Sequence, residues 1–314
     1  MKSEKKEEEN NMWEAKEALS CFVIWPLKIL WDSLRIIHTN KLLFCSILCF
    51  ATLPLSFLTF TLAISTHDLR RRIYHLEAVA RVATTRVEAR HVWHESRDDA
   101  VSLLRTRVLF TLLSFPLSLA AAVSAIHAAA HGKPVSLRGA NWKRPAVTVV
   151  FVYVLLMAFA PVPRVLAAAT FGSPVWIWVL ARTIGLGAEV YLLAVVGLGI
   201  VVSVTEDRVG WEAIRVGLGL IRGGRVCGWV LSALFVLVSG LINRNVEALL
   251  ENENSEIGVW EKTLFMCLYA VVVVFSYVVN TVFYCDSRRR HDNNVKEPQD
   301  YEIEDFDADS SSEL

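Results

Sequence analysis

The sequence predicts an all-α, polytopic membrane protein, and three observations carry that expectation. Of its 314 residues, 54% are hydrophobic, and mean hydropathy is positive at +0.41. The apolar residues gather in blocks of about 20, the length a helix needs to cross a ~30 Å hydrocarbon core. A soluble chain of this size would be less apolar and would spread its apolar residues through amphipathic elements. The 32 basic and 32 acidic residues cancel in sum but are unevenly placed along the chain.

The elements follow in order. "MKSEKKEEENN" is charged and polar, and the first long apolar run begins only near Leu42, so no cleavable signal peptide is expected. Residues 12–37 are mixed, with Trp13, Trp25 and Trp31 among Lys16, Lys28 and Arg35. After Pro26, Leu27, Leu30, Trp31 and Leu34 fall at helical spacing, opposite Lys28, Asp32 and Arg35. That pattern predicts an N-terminal amphipathic helix lying in the headgroup layer, within a cytosolic segment 1–41.

A membrane domain is expected over 42–285, with six spans at about 42–64, 108–130, 146–169, 176–204, 226–242 and 263–285. The third holds Pro161 and Pro163, so it kinks or ends early. The fourth is longer than a bilayer needs and the fifth is short. Residues 66–107 contain neither Gly nor Pro and carry a partial helical stripe, which predicts one or two helices on the non-cytosolic face. Residues 243–262 read as an acidic loop. From 286 the chain is first basic, "SRRRH", and then acidic, "EPQDYEIEDFDADSSSEL", a composition that predicts a disordered tail over 286–314.

Charge sets the expected orientation. The segments sharing a side with the N-terminus hold 19 Lys and Arg: seven in 1–41 and four each in 131–145, 205–225 and the tail. The other side holds 12, nine of them in 65–107. Positive-inside bias therefore predicts that both termini are cytosolic.

Candidate chemistry is sparse. His127 and His131 lie one helical turn apart and share a face, but two imidazoles without a third ligand are not a metal site. His131 precedes Gly132 and Pro134, which reads as a helix end. In "HVWHESRDD", Glu95 follows the second histidine, His94, rather than His91, so the zinc-protease arrangement is lacking. Arg182 and Glu189, two turns apart in the fourth span, are the suggestive pair, because charge within hydrocarbon is costly and marks a contact or a pathway. Gly185, Gly187, Gly197 and Gly199 beside them would let another helix approach closely. The six cysteines show no CxxC and no zinc spacing; Cys21 and Cys285 are candidates for palmitoylation. There is no phosphate-binding glycine loop, no nucleophile elbow and no calcium loop. No catalytic, cofactor-binding or metal-ligating residue, and no nucleic-acid surface, is expected.

Three stretches carry a resemblance. "AAVSAIHAAAHGKPVSLRGANWKRPAVTVVFVYVLL", with Gly132, Lys133, Pro134, Val135 and Ser136 after the second span, resembles a plant family of uncharacterised six-span membrane proteins. "VVSVTEDRVGWEAIRVGLGLIRGGRVCGWVLSAL", with Glu206, Glu212, Ala213, Arg215, Gly223, Gly224 and Arg225, is similar to that family's loop between spans four and five. It is also similar to bacterial membrane domains of the kind fused to glycerophosphodiester phosphodiesterases. The exit "VVNTVFYCDSRRRH" resembles the family's last span. The long 66–107 segment and the acidic tail depart from the pattern. The resemblance implies six spans and no assigned activity.

Physically, 131–145 and 205–225 both read as cytosolic elbows, with Val209, Ile214 and Leu218 buried and Arg215 and Arg222 facing headgroups. The expected function is that of a non-enzymatic endomembrane protein, a membrane scaffold or partner-binding protein. Its partners would be the lipid bilayer and proteins met through tail and elbows. The endoplasmic reticulum or another endomembrane is the expected compartment, with the plasma membrane as the other candidate. The alternative is a small transporter or channel-like protein using Glu189.

Overall fold

The computed structural model describes residues 23–82, 86–134, 142–159, 162, 166, 174–206, 208–223, 225–251 and 258–310. Those residues contain helices and no strand. The helices are α1 (Trp25–Thr39), α2 (Lys41–Ile47), a π-helical turn (Leu48–Thr52), α3 (Leu53–Val82), α4 (Arg86–His131), α5 (Lys143–Phe159), α6 (Val175–Thr205), α7 (Trp211–Gly223), α8 (Arg225–Glu251) and α9 (Gly258–Ser310).

Among the described residues, five stretches are long and apolar enough to cross a membrane: Lys41–Ile73, Arg97–His131, Val175–Thr205, Val226–Leu249 and Trp260–Arg290. These fall on five of the six expected spans. The third expected span, 146–169, is the exception. Its helix, α5, is described over Lys143–Phe159 (17 residues), and of residues 160–173 only 162 and 166 are described, both helical.

The other boundaries err toward caution. The segment 66–107 is largely taken up by α3 and α4, which carry helix far beyond the apolar blocks because neither Gly nor Pro interrupts them. The 243–262 loop likewise surrenders nine residues to α8. Where composition predicts a disordered tail, α9 carries helical backbone to Ser310.

The π turn has a local cause. Pro54 cannot donate to the Phe50 carbonyl and its ring crowds that group; the backbone widens over Leu48–Thr52 immediately ahead of it.

Packing divides the chain into two compact units, the first drawn from 1–41, 125–237 and 275–314 and the second from 42–124 and 238–274. In the second unit Phe60, Ile242 and Val246 are buried together, with Val238, Phe265, Met266, Tyr269 and Val272 around them. Phe60 meets Tyr269 edge-on at 6.1 Å. The Ser56 hydroxyl donates to the Met266 carbonyl at 2.6 Å.

In the first unit the centre is the C-terminal half of α6, where Val190, Val195, Val196, Leu198, Val201 and Val202 are buried. α7 packs on it backbone to backbone. A Cβ on Gly199 would sit 3.2 Å from Ile214 Cα, and one on Gly217 would sit 3.1 Å from Gly199 N. Gly197 makes room for Asn280, whose side chain a Cβ there would meet at 2.7 Å, whereas a Cβ on Gly187 would meet Trp229 in ordinary contact at 3.5 Å. Close approach of this kind is how apolar helices gain contact where lipid removes the hydrophobic incentive.

Candidate functional site

The polar chemistry of the described residues collects along 284–290 in the middle of α9, where α1 and the 206–210 link reach it, all within the first unit. Each part gets there for a local reason. α6 ends at Thr205 because Glu206 turns extended, with φ −114° and ψ 163°. The link then turns at Gly210, whose φ of +59° favours glycine. Its N–H donates to the Thr148 hydroxyl at 2.9 Å, while that fully buried hydroxyl donates to the Arg144 carbonyl at 3.2 Å. Thr148 therefore ties the link to the first turns of α5.

Glu206 is taken up by α9. The Tyr284 hydroxyl donates to Glu206 Oε1 at 2.6 Å, and Arg288 Nη1 stands 3.5 Å from the same oxygen. Two residues along α9 from Tyr284, Asp286 Oδ2 accepts from Trp25 Nε1 at 2.7 Å and from Arg290 Nε at 3.0 Å. The Arg290 guanidinium lies 3.9 Å from the Trp25 ring centroid, and Trp25 also meets Phe283 at 6.1 Å. Trp25 is thus fixed by an acceptor, a cation over its face and an aromatic edge. Between these groups the Ser287 hydroxyl is buried without a hydrogen-bond partner. Arg208 pairs with Glu212 at the start of α7.

Chemically this is a clasp. It holds two carboxylates and two guanidiniums, each engaged, around an indole and a phenol. It fixes the start of α1 to α9 and the 206–210 link to α9 and α5.

The residues singled out in the sequence lie elsewhere. His127 and His131 stack at 4.6 Å, and His127 Nδ1–H donates to the Lys133 carbonyl at 3.2 Å, so the pair closes the end of α4. Gly132, at φ +65°, donates its N–H to the Ala128 carbonyl in the same cap. His91, His94 and Glu95 fall on α4 with their side chains outside the described set. No group of three potential metal ligands occurs among the described residues.

Cys285 is exposed, and Cys21 lies outside the described residues. Residues 135–141 of the 131–145 elbow lie outside them too, as does the side chain of Arg222. In the 205–225 elbow Ile214 is buried and Leu218 half-buried, but Val209 is exposed at 36% because it precedes the Gly210 turn. Arg182 stands over Trp178 at 5.5 Å. Glu189 is exposed on α6 and makes no ion pair or hydrogen bond among the described residues.

The clasp itself escaped sequence reasoning. Its one legible signal was that Glu206, Asp286, Arg288 and Arg290 crowd the ends of two apolar blocks.

These features define an α-helical integral membrane protein with several membrane-length helices. The family model for a domain of unknown function, DUF8558, matches residues 14–302, and the chain belongs to that family. No curated protein and no solved structure matches it.

Proposed function

We propose that the chain is a six-span endomembrane protein with a non-enzymatic, membrane-organising or partner-binding role, both termini cytosolic. In this reading it holds an amphipathic helix in the cytosolic headgroup layer. The observation that carries the reading is the three-sided character of α1. Pro26, Ile29 and Ser33 are buried on the protein. Leu27, Trp31 and Leu34 form an exposed apolar stripe, with exposures of 63%, 69% and 53%. Lys28 and Arg35 are exposed between the two. A helix with one face on protein, one apolar face open and one cationic face suits the boundary between acyl chains and headgroups. The clasp at Trp25 and Asp286 is what would keep it there.

Six crossings are supported by parity. Thr148 meets Gly210, Glu206 meets Tyr284, and Trp25 meets Asp286, so these positions gather at one end of the first unit. α6 is a full-length crossing that arrives at that end. In this reading α5, about 26 Å long, begins the return crossing toward the start of α6. The cytosolic assignment of that end rests on its excess of Lys and Arg.

Single spin labels at 27, 28, 31, 34 and 35 of the reconstituted chain test the reading. Labels at 27, 31 and 34 should collide with oxygen dissolved in the acyl layer, and those at 28 and 35 with a water-soluble nickel chelate. Uniform exposure to the chelate would overturn the interfacial helix. Enzymatic turnover of a phospholipid by the purified chain would overturn the non-enzymatic role.

A further inference from the structure

α6 carries one seam along its whole length. Val175, Val179, Arg182, Leu186 and Glu189 are spaced four and three apart, and the series continues through Leu193, Val196, Ile200 and Ser203. This is the spacing at which one helix packs along another at a shallow crossing angle. From Val196 onward the seam is buried, with Val196, Ile200 and Ser203 between 3% and 8% exposed. From Val175 to Glu189 every member is exposed. The same packing surface is therefore filled in one half of the helix and bare in the other.

The bare half holds the charges. Glu189 lies about 10 Å along the axis from Arg182 and about 25 Å from Glu206, inside a membrane-length apolar run. It has no ion-pair or hydrogen-bond partner among the described residues. A carboxyl facing hydrocarbon is costly until it is protonated or paired. Arg182 has Trp178 for company but no carboxylate among the described residues.

We infer that the exposed seam of α6 is a docking site for a transmembrane helix of another membrane protein, one carrying a Lys or Arg level with Glu189. Charge complementarity selects this occupant over a second copy of the chain. A parallel symmetric pair would set Glu189 against Glu189 and Arg182 against Arg182. The inference deepens the partner-binding role proposed above by naming the surface and the chemistry of the partner. It rests on that reading only in requiring α6 to span the bilayer, and stands whether or not α1 is interfacial.

The test reconstitutes the full chain in neutral bilayers with synthetic Leu/Ala transmembrane peptides, identical except for a single mid-helix Lys, Glu or Gln. Energy transfer from labelled chain to labelled peptide reads association. The Lys peptide should associate about tenfold more strongly than the other two. Glu189→Gln, nearly the same shape, should abolish that preference, and Glu189→Asp should keep it. Leu186→Trp, which blocks the seam without touching the charge, should weaken the Lys peptide while unchanged circular dichroism verifies folding. Equal association of all three peptides would overturn the proposal. So would self-association that disappears with Glu189→Gln, which assigns the seam to a second copy. Ion or solute flux that depends on Glu189 in peptide-free vesicles would overturn it in favour of a pathway.

Discussion

The two packing units hold apolar helices together in different ways. The second relies on bulk: Phe60, Ile242 and Val246 fill a common space, and Ser56 makes a buried side-chain hydrogen bond to the backbone of another helix, at Met266. The first relies on absence of bulk and on polar ties. Gly199 and Gly217 bring two backbones together, and Thr148, Glu206 and Asp286 each bind a distant element. Lipid tails are as apolar as leucine, so burying more leucine gains little in a bilayer, whereas shape and hydrogen bonds still discriminate one neighbour from another. The first unit should therefore be the more specifically held, and the more sensitive to single changes.

Two native thiols make that comparison measurable. Cys227 is fully buried in the first unit and Cys267 is partly buried in the second. In a chain whose other four cysteines are alanine, their reaction rates with a small maleimide report the opening of each unit separately. The largest effect is expected from Gly217→Val. Its Cβ alone would press on Gly199 N at 3.1 Å, Leu198 Cβ at 3.3 Å and the Val195 carbonyl at 3.3 Å, and two of these are backbone atoms that cannot swing away. Overpacking of this kind costs about 3 kcal/mol, which should speed Cys227 labelling on the order of a hundredfold and leave Cys267 nearly unchanged. Equal acceleration of both thiols would show that the units do not open independently.

Thr148→Val comes next. The substitution keeps the shape but removes the acceptor for the Gly210 N–H. A buried donor left unpaired costs about 2 kcal/mol, so Cys227 should label about thirtyfold faster. Thr148→Ser, which restores the oxygen, should recover most of the loss. Asp286→Ala should cost less, about 1 kcal/mol and roughly fivefold in labelling, because Asp286 is 30% exposed and water can replace it for Arg290 and Trp25. Its distinctive reading is spectroscopic: the indole of Trp25 loses an acceptor and its emission should shift, which a chain with Trp25→Phe would not show.

How much of this was legible beforehand follows from what each feature depends on. α6 was expected at 176–204 and runs Val175–Thr205, because a long apolar block bounded by Pro174 and Glu206 fixes its own ends. The glycines of that block were legible as places of close approach, and Gly187, Gly197 and Gly199 each have a side chain or backbone against them. α5 is the helix of the third expected span, and Pro161 and Pro163, where the sequence predicts a kink or an early end, lie outside the described residues. The clasp was illegible for a different reason. Trp25 and Asp286 are 261 positions apart, and Glu206 and Tyr284 are 78 apart. No local pattern links such partners; only the packing of α1 and α9 does. Glu189 was flagged by chemistry alone, and what the structure added is the bare seam on which it sits.

The smallest expected effect is also the sharpest check on the comparison. Ser56 donates to Met266 O at 2.6 Å and is buried, much as Thr148 is in the first unit. On geometry the two bonds look alike. They differ in what is left behind when the hydroxyl goes. The Met266 carbonyl belongs to α9, deep inside a helix where the ladder supplies it with an N–H, so Ser56→Ala orphans nothing. The loss should be that of an ordinary hydrogen bond between membrane helices, about 0.6 kcal/mol, or about threefold in Cys267 labelling with Cys227 unmoved. If Ser56→Ala instead costs as much as Thr148→Val, the second unit is held by its polar tie as firmly as the first, and its aromatic cluster is filler between helices that the tie positions.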